Sequence, residues 1–120
     1  MKILLVEDEP FMLEAISSVI EHTGWDVLVA SNADEAKNLL KTEHVGLVIT
    51  DLLLPEPEGV ELVYYIKDTE ATKNIPVIVV SGMDNTSFMG RPIPSDAWIE
   101  KPFTLDQLLG AIKRLTQVSV

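Results

Sequence analysis

Polar side chains that can do chemistry follow four of the short apolar runs in this sequence. In an open parallel α/β sheet, ligands bind outside the carboxyl ends of the strands, where such side chains converge. Carboxylates suit hard divalent cations and can attack phosphorus, and an ammonium or hydroxyl group can bind an anion. The residues are Glu7 and Asp8 after 3–6, Asp51 after 47–50, Ser81 after 77–80, and Lys101 shortly after 97–99.

The elements that would position these residues alternate along the chain. Short apolar runs alternate with longer amphipathic stretches, a pattern typical of βα units around a parallel sheet. The sequence predicts strands over 2–6, 26–30, 45–50, 77–81 and 97–99, and helices over 10–22, after Asn32, over 59–67 and after Thr104.

Turn and capping signals support these boundaries. Gly24 is a natural stop for the first helix. Asn32 with Glu35, and Thr104 with Gln107, form capping-box patterns at the starts of the second and last helices.

The interval between the fourth and fifth predicted strands breaks the alternation. A fourth helix belongs there, but Pro92 and Pro94 push the residues before them towards extended conformations, and Gly90 adds a further break. We predict at most one helical turn over 86–89 followed by an extended segment, so that the fourth helix is short or unwound. We also expect residues 84–96 to form a mobile, partner-specific loop.

Composition places the chain in a class and excludes others. The 120 residues suit one domain, 1–120, and the 47% apolar content is typical of a globular protein. A net charge of −10 argues against direct binding of nucleic acid or an anionic membrane. The sequence has no cysteine, no recognisable leader and no apolar run long enough to span a bilayer, so we expect a cytoplasmic location.

Four motifs in order resemble the receiver domain of response regulators, the phosphorylated switch of two-component signalling. The resemblance runs from Lys2 to about Leu115 and implies a flavodoxin-like, three-layer α/β fold like that of the chemotaxis regulators. Its five-stranded parallel sheet would have the order 2-1-3-4-5. The motifs are Val6-Glu7-Asp8-Glu9, Asp51-Leu52-Leu53-Leu54-Pro55 with Gly59, Val80-Ser81-Gly82, and Lys101-Pro102-Phe103.

The resemblance implies a phosphoacceptor and a metal site. Asp51 matches the aspartate that accepts the phosphoryl group. Glu7 and Asp8 match the acidic pair that holds a divalent cation together with Asp51 and the backbone carbonyl of Leu53. The cation expected is Mg²⁺, with Mn²⁺ as an alternative, and the resemblance implies no organic cofactor.

The resemblance also implies the switch elements. Lys101 would pair with the phosphoryl group, and its peptide bond to Pro102 is commonly cis in the family. Ser81 would donate a hydrogen bond to the phosphoryl group once it forms. Trp98 lies where the family places an aromatic switch residue, although a tryptophan here can equally be a core or interface residue that never moves.

The function implied is a phosphorylation-dependent switch that accepts a phosphoryl group from a histidine kinase or a phosphotransfer protein. It would relay the change to a protein partner or an output domain, and would catalyse only its own phosphorylation and dephosphorylation. The sequence does not identify the kinase or the partner, and leaves open whether the chain forms a homodimer.

Three other functions remain as alternatives. The first is a receiver-like interaction module that is never phosphorylated, although no acidic ligand, acceptor or lysine is missing. The second is a Mg²⁺-dependent aspartyl-phosphate hydrolase, which usually carries a second carboxylate where Leu53 stands. The third is a flavodoxin-like cofactor carrier, whose phosphate would be repelled by residues 7–9.

Two further positions concern the lifetime of the phosphorylated form. Leu53 and Met83 stand two residues after Asp51 and Ser81. In the family, the residues at these two positions flank the path by which the hydrolytic water approaches. Apolar side chains cannot orient a water molecule by hydrogen bonding, so the resemblance implies slow self-dephosphorylation.

Overall fold

The computed structural model describes residues 2–52, 58–82, 87–88 and 90–116, with residues 58, 87 and 88 described by their backbone alone. The elements in chain order are β1 (Lys2–Val6), α1 (Pro10–Glu21), β2 (Asp26–Ala30), α2 (Ala33–Thr42), β3 (Val45–Asp51), α3 (Glu58–Asp68), β4 (Val77–Ser81), β5 (Ser87–Phe88), β6 (Arg91–Pro92), β7 (Ala97–Glu100) and α4 (Leu105–Thr116). Among these described helices, none has the length and apolar character needed to cross a bilayer.

Five strands form one parallel sheet in the order β2-β1-β3-β4-β7. Because β7 is the fifth strand predicted from the sequence, this confirms the predicted order 2-1-3-4-5. The chain reverses its direction of travel across the sheet after β2, so β1 and β3 become neighbours. In such sheets the crevice outside the carboxyl ends near this reversal is the usual ligand site.

Strand alternation builds one apolar core on each side of the sheet. On β1, Leu4 and Val6 pack towards α2 and α3, whereas Ile3 and Leu5 pack towards α1 and α4. The other central strands repeat this division, and their side chains are almost fully buried. Because both faces are covered, the central strands read in the sequence as continuous apolar runs.

The helices begin where side chains satisfy their first backbone N–H groups. Glu9 accepts hydrogen bonds from two N–H groups of the first turn of α1. Asn32 accepts from the backbone N–H of Glu35 at 2.8 Å. Thr104 and Gln107 exchange hydrogen bonds of 2.8 and 3.1 Å at the start of α4. The predicted capping box of α4 is therefore confirmed, and at α2 the predicted role of Asn32 as N-cap is confirmed.

A two-stranded antiparallel hairpin of β5 and β6 lies where the sequence predicted at most one helical turn. Ser87–Phe88 is a strand, which agrees with a fourth helix that is short or unwound, and the extended backbone predicted after it is confirmed at Arg91–Pro92. Gly90 adopts a positive φ of 81° between the two strands, a conformation that favours glycine. In the described part of this interval, two paired strands therefore stand where a fourth helix would belong.

Arg91 attaches this hairpin to α3. Its guanidinium group donates to both carboxylate oxygens of Asp68 at 2.9 and 3.0 Å and stacks 4.0 Å from the ring centre of Tyr64. The Tyr64 hydroxyl donates to the backbone carbonyl of Arg91 at 2.9 Å. Ile93, just beyond, is buried in the core on the α2–α3 side. The part of segment 84–96 that is described is therefore in contact with α3, and the mobility and partner specificity expected of this segment remain predictions.

Gly59 brings the first turn of α3 against the end of β3. A Cβ atom at Gly59 would lie 2.7 Å from the carbonyl oxygen of Leu52 and 2.9 Å from that of Asp51. Those atoms are backbone of the strand that carries Asp51, so they cannot move aside independently. Glycine is required here because the helix and strand backbones approach closely, and not because of its φ angle.

We expect Gly59→Ala to destabilise the fold by about 1–3 kcal/mol, because the added methyl group overpacks a backbone contact. Chemical denaturation monitored by circular dichroism measures the change. Gly82→Ala is the matched control, since a Cβ atom there meets nothing within 4 Å. Equal stability of Gly59→Ala and Gly82→Ala would contradict this account of the contact.

Candidate functional site

The carboxyl edge of the sheet brings four of the predicted site residues together. Asp51 and Ser81 are the last residues of β3 and β4, and Glu7 and Lys101 directly follow β1 and β7. Glu7 and Asp51 are each 5% exposed, and Ser81 is fully buried. A polar cluster this deep requires its own charge compensation, because an unpaired buried charge is costly.

Lys101 supplies that compensation to Asp51. Its Nζ atom lies 2.5 Å from Oδ2 of Asp51, and three quarters of the lysine side chain is buried. The backbone N–H of Lys101 donates to the carbonyl of Ser81 at 2.8 Å, which fixes the lysine loop to the end of β4. The peptide bond to Pro102 is cis, as the resemblance implied.

Glu7 is the second carboxyl group at Asp51. Burial, a hydrogen bond shared with Asp51 and the negative charge of Asp51 together raise the pKa of Glu7 to about 8. Lys101 opposes this shift, and Asp8 adds a small contribution in the same direction as Asp51. Near neutral pH, Glu7 is therefore mostly protonated, and a single negative charge is shared between the two buried carboxyl groups.

The described residues leave little space at the site in this arrangement. A cavity of about 10 Å³ lies between Glu7, Asp51, Lys101 and apolar side chains of α1 and the sheet. That volume corresponds to about one water molecule. A cation or a phosphoryl group at Asp51 therefore requires the lysine and the Glu7 carboxyl group to give up their present contacts with it.

Asp8 and Leu53 are the other two members of the predicted metal site. The side chain of Asp8 is exposed, on the solvent side of the buried Glu7. In the described ranges, no three His, Cys, Asp or Glu side chains are grouped so that they could hold a metal ion. Leu53 lies outside the described residues, as does Met83, so their predicted roles remain predictions.

Ser81 continues a row of side chains on the opposite face of the sheet from Glu7 and Asp51. By strand alternation it continues the row of Val77 and Val79, which pack towards α2 and α3. Glu7 and Asp51 continue rows that face α1 and α4. Ser81 thus lies beside Asp51 at the end of the neighbouring strand, at the boundary between the two sides of the sheet.

Trp98 lies on the same side as the hairpin. It is partly buried and packs against the core that contains Ile93 and Val79, and Val79 is its partner in the β4–β7 register. Among the described residues, its Nε1 atom is buried without a hydrogen-bond partner. A buried, unsatisfied donor is costly in a fixed core, and the switch role of Trp98 remains a prediction.

Sequence reasoning missed two features near this edge. The attachment of Arg91 to α3 joins residues more than twenty positions apart, and no local pattern signals it. Phe11 at the start of α1 is 83% exposed, and Leu105 at the start of α4 is 44% exposed and lines a groove with Lys101 and Pro102. An apolar residue directly after Pro10, outside the buried stripe of α1, was the available signal for the second feature.

The same arrangement recurs in known proteins. The family model described as the response regulator receiver domain matches residues 3–113, which is most of the chain. The chain belongs to the response regulator receiver domain family.

Among curated relatives of this receiver domain, protein PilG of Pseudomonas aeruginosa is 29% identical over 115 residues, covering 94% of this chain and 85% of PilG. The phosphate regulon transcriptional regulatory protein PhoB of Escherichia coli is 31% identical over 114 residues, covering 93% of this chain but only 50% of PhoB. The chain therefore spans 85% of the length of one relative and about half of another.

Solved receiver domains share the whole fold. The receiver domain of a signal transduction histidine kinase from Syntrophus aciditrophicus superposes with a TM-score of 0.86 at 29% identity, covering 99% of this chain and 96% of that one. The response regulator TrrA of Thermotoga maritima, in complex with Mg²⁺ and beryllofluoride, gives a TM-score of 0.83 at 25% identity, covering 95% and 97% of the two chains.

The raised pKa of Glu7 makes the stability of the metal-free receiver domain depend on pH. Between pH 4.5 and about 8 the folded state holds a proton that the unfolded state has released. This contribution is complete below pH 4.5 and is lost as the pH rises through about 8, so the free energy of unfolding falls by up to about 1.4 kcal/mol per pH unit.

We expect Glu7→Gln to remove most of this decline and to be more stable than the wild type at pH 8.5 in the presence of a chelator. Urea denaturation at a series of pH values measures both slopes. The same substitution at the exposed Glu14 controls for the change in net charge. A decline that persists unchanged in Glu7→Gln would show that Glu7 is not its source.

Proposed function

We propose that this receiver domain is a switch that accepts a phosphoryl group on Asp51. The observation that carries the proposal is the buried Lys101–Asp51 ion pair at the carboxyl edge of the sheet, with a second carboxyl group against Asp51. The ion pair holds the Asp51 carboxylate in one position. It also places the positive charge of Lys101 where transfer of a phosphoryl group would add negative charge. As a family, receiver domains are signalling domains and not metabolic enzymes.

The donor set fits a hard divalent cation. Receiver domains bind Mg²⁺ in their active site, and buried carboxylate oxygens are the ligands that Mg²⁺ and Mn²⁺ prefer. Glu7 and Asp51 would hold the ion, with Asp8 and the carbonyl of Leu53 as further ligands. When bound, the ion neutralises negative charge on the phosphoryl oxygens and the carboxylates. To act as a ligand, Glu7 would have to release its proton, because a ligating carboxylate must be ionised.

In the transfer step, a carboxylate oxygen of Asp51 attacks phosphorus. The bond from phosphorus to the donor's nitrogen or oxygen breaks, and the leaving group keeps the electron pair. Lys101, already beside Asp51, moves its charge from the carboxylate to the phosphoryl oxygens. The product is an aspartyl phosphate, and water that later attacks it releases inorganic phosphate and restores Asp51.

Ser81 and Trp98 would then report the change. The Ser81 hydroxyl donates to a phosphoryl oxygen, and the backbone hydrogen bond between Ser81 and Lys101 makes the two residues move together. Trp98 and the Arg91 hairpin, packed on the α2–α3 side, would carry the change to a partner or an output domain. The phosphodonor is a histidine kinase or phosphotransfer protein, and the expected location is the cytoplasm.

The direct test is to incubate the protein with acetyl phosphate and Mg²⁺ and to measure its intact mass. We expect the gain of one phosphoryl group in the wild type and in Asp26→Asn, an exposed control at the edge strand. Asp51→Asn should gain none, because an amide is not a nucleophile towards phosphorus. Lys101→Ala should fold but should no longer undergo the conformational change that follows phosphorylation. Labelling that survives in Asp51→Asn would contradict the assignment of the acceptor.

The same incubation separates the alternatives. An interaction module that is never phosphorylated would keep its mass unchanged in the wild type. A hydrolase would turn over a phosphoester many times without retaining a phosphoryl group. Only the switch predicts a stoichiometric, Asp51-dependent gain.

The lifetime of the aspartyl phosphate should be long. Leu53 and Met83, two residues after Asp51 and Ser81, cannot orient the attacking water by hydrogen bonds. We expect the double variant Leu53→Asn with Met83→Glu to lose its phosphoryl group about tenfold faster or more, since water positioning of this kind is worth an order of magnitude or so. Decay is followed by intact mass after the acetyl phosphate is removed. An unchanged decay rate would refute this explanation of lifetime without affecting the acceptor.

A further inference from the structure

The amino end of β7 is held by polar groups at the edge of the sheet opposite the site. Asp96 comes directly before β7, and its backbone N–H donates to the carbonyl of Val77 at 2.9 Å. Its side-chain Oδ2 accepts from the N–H of Val77 at 2.7 Å and pairs with Nζ of Lys67 at 2.7 Å. Since Val77 is the first residue of β4, the side chain of Asp96 ties the start of β7 to the start of its neighbour.

Lys67, near the end of α3, is committed to this cluster by its whole ammonium group. Besides pairing with Asp96, Nζ donates to the carbonyl of Ile75 at 2.7 Å and to that of Lys73 at 3.4 Å. These three acceptors match the three donors of an ammonium group. The side chain is only 16% exposed, so losing an acceptor would leave a mostly buried donor unsatisfied. Lys67 therefore holds the start of β7 in one position relative to α3.

β7 depends on the contacts at its ends more than the central strands do. It has four residues and, within the described part of the chain, pairs with β4 alone. β1 and β3, by contrast, each have a neighbour on both sides. A short strand with one neighbour has few ladder hydrogen bonds and opens easily, so its end contacts set its position along β4.

The other end of β7 leads directly to Lys101. The N–H of Lys101 donates to the carbonyl of Ser81, the last residue of β4. Lys101 follows Asp96 by five residues, a distance of roughly 16 Å along an extended chain. β7 is thus fixed to β4 at both ends, and a shift at the Asp96 end would displace the residue whose ammonium group lies at Asp51.

We infer that Lys67 is a positioning residue for Lys101. Through Asp96 it fixes the amino end of β7, and β7 in turn sets where the Lys101 ammonium group lies relative to Asp51. This role rests on the proposed function, because transfer of a phosphoryl group to Asp51 is the step that Lys101 assists. An ion pair that only stabilised the fold would have no particular effect on β7 or on the rate of transfer.

Hydrogen exchange at single amides, measured by NMR, tests the link without phosphorylation. Lys67→Met removes the ammonium group and keeps a side chain of similar length. We expect the N–H of Lys101 to exchange at least about tenfold faster in this variant, whereas the amides of β1 and β3 change far less, because only the edge strand loses an anchor. An equal increase in every strand would show a general loss of stability and would overturn the inference.

Lys2→Met is the matched control. Lys2 also lies at the amino edge of the sheet and forms an ion pair of 2.7 Å, with Glu43, so this substitution removes the same charge and a contact of the same length. Lys2 begins β1, however, which has a neighbour on each side. We expect this variant to leave the exchange of the Lys101 N–H and the rate of phosphoryl transfer unchanged.

The rate of labelling by acetyl phosphate with Mg²⁺ is the second measurement. Lys67→Met should slow the labelling of Asp51 at least about tenfold, because misplacing a group at the reacting atoms by about 1 Å can cost about a hundredfold. Equal rates in this variant and the wild type would overturn the inference. If the wild type gained no phosphoryl group, the proposed function itself would fail, and the exchange of the Lys101 N–H would still decide whether Lys67 holds β7.

Chemical rescue separates the ammonium group from other effects of the substitution. The sequence has no cysteine, so Lys67→Cys introduces the one thiol of the chain. When the unfolded variant is treated with bromoethylamine, the thiolate displaces bromide and gains an aminoethyl group, which restores an ammonium group at nearly the length of lysine. After refolding, we expect the alkylated protein to recover slow exchange and fast labelling, and the unalkylated variant to behave like Lys67→Met. An alkylated protein with the wild-type circular dichroism spectrum that recovers neither would contradict the role of Lys67.

Discussion

The ion pair between Lys101 and Asp51 is the interaction on which the rest of the site depends. Asp51 is a nearly buried carboxylate with a second carboxyl group against it, and two positive contributions among the described residues stabilise this combination. One is the Lys101 ammonium group at 2.5 Å, and the other is the proton retained by Glu7. In the proposed mechanism a bound cation would take the place of the Glu7 proton, and a phosphoryl group on Asp51 would receive the charge of Lys101, so both exchanges would use charges that the ground state already holds.

The sheet makes this arrangement rigid. The three residues come from β1, β3 and the end of β7, which are not adjacent in the sequence but end at the same edge. Gly59 lets α3 approach the backbone of Leu52 closely, which fixes the end of β3 directly after Asp51. Backbone packing therefore fixes the position of Asp51. The residues that follow the other strands add their side chains around it.

The fold and the central site could be predicted because their signals are local. Continuous apolar runs, capping residues such as Asn32 and Thr104, and the strand-end positions of Asp51 and Lys101 are visible within a few residues of sequence. The hairpin was not predictable, because Arg91 finds Tyr64 and Asp68 only after the chain has folded. The orientation of Asp8 was also not predictable, since adjacent residues that follow a strand point in different directions and only burial decides between them.

The geometry explains how a change at Asp51 can reach the other side of the sheet. The acidic site faces α1 and α4, whereas Trp98, Ile93 and the hairpin pack towards α2 and α3. Ser81 lies at the boundary, because its strand row faces the second group while its backbone carbonyl holds the N–H of Lys101 at 2.8 Å. A shift of Lys101 towards a phosphoryl group, as proposed above, would therefore pull on the end of β4. The neighbouring Trp98 has a buried N–H with no partner among the described residues, so its side chain would lose no such hydrogen bond on changing position.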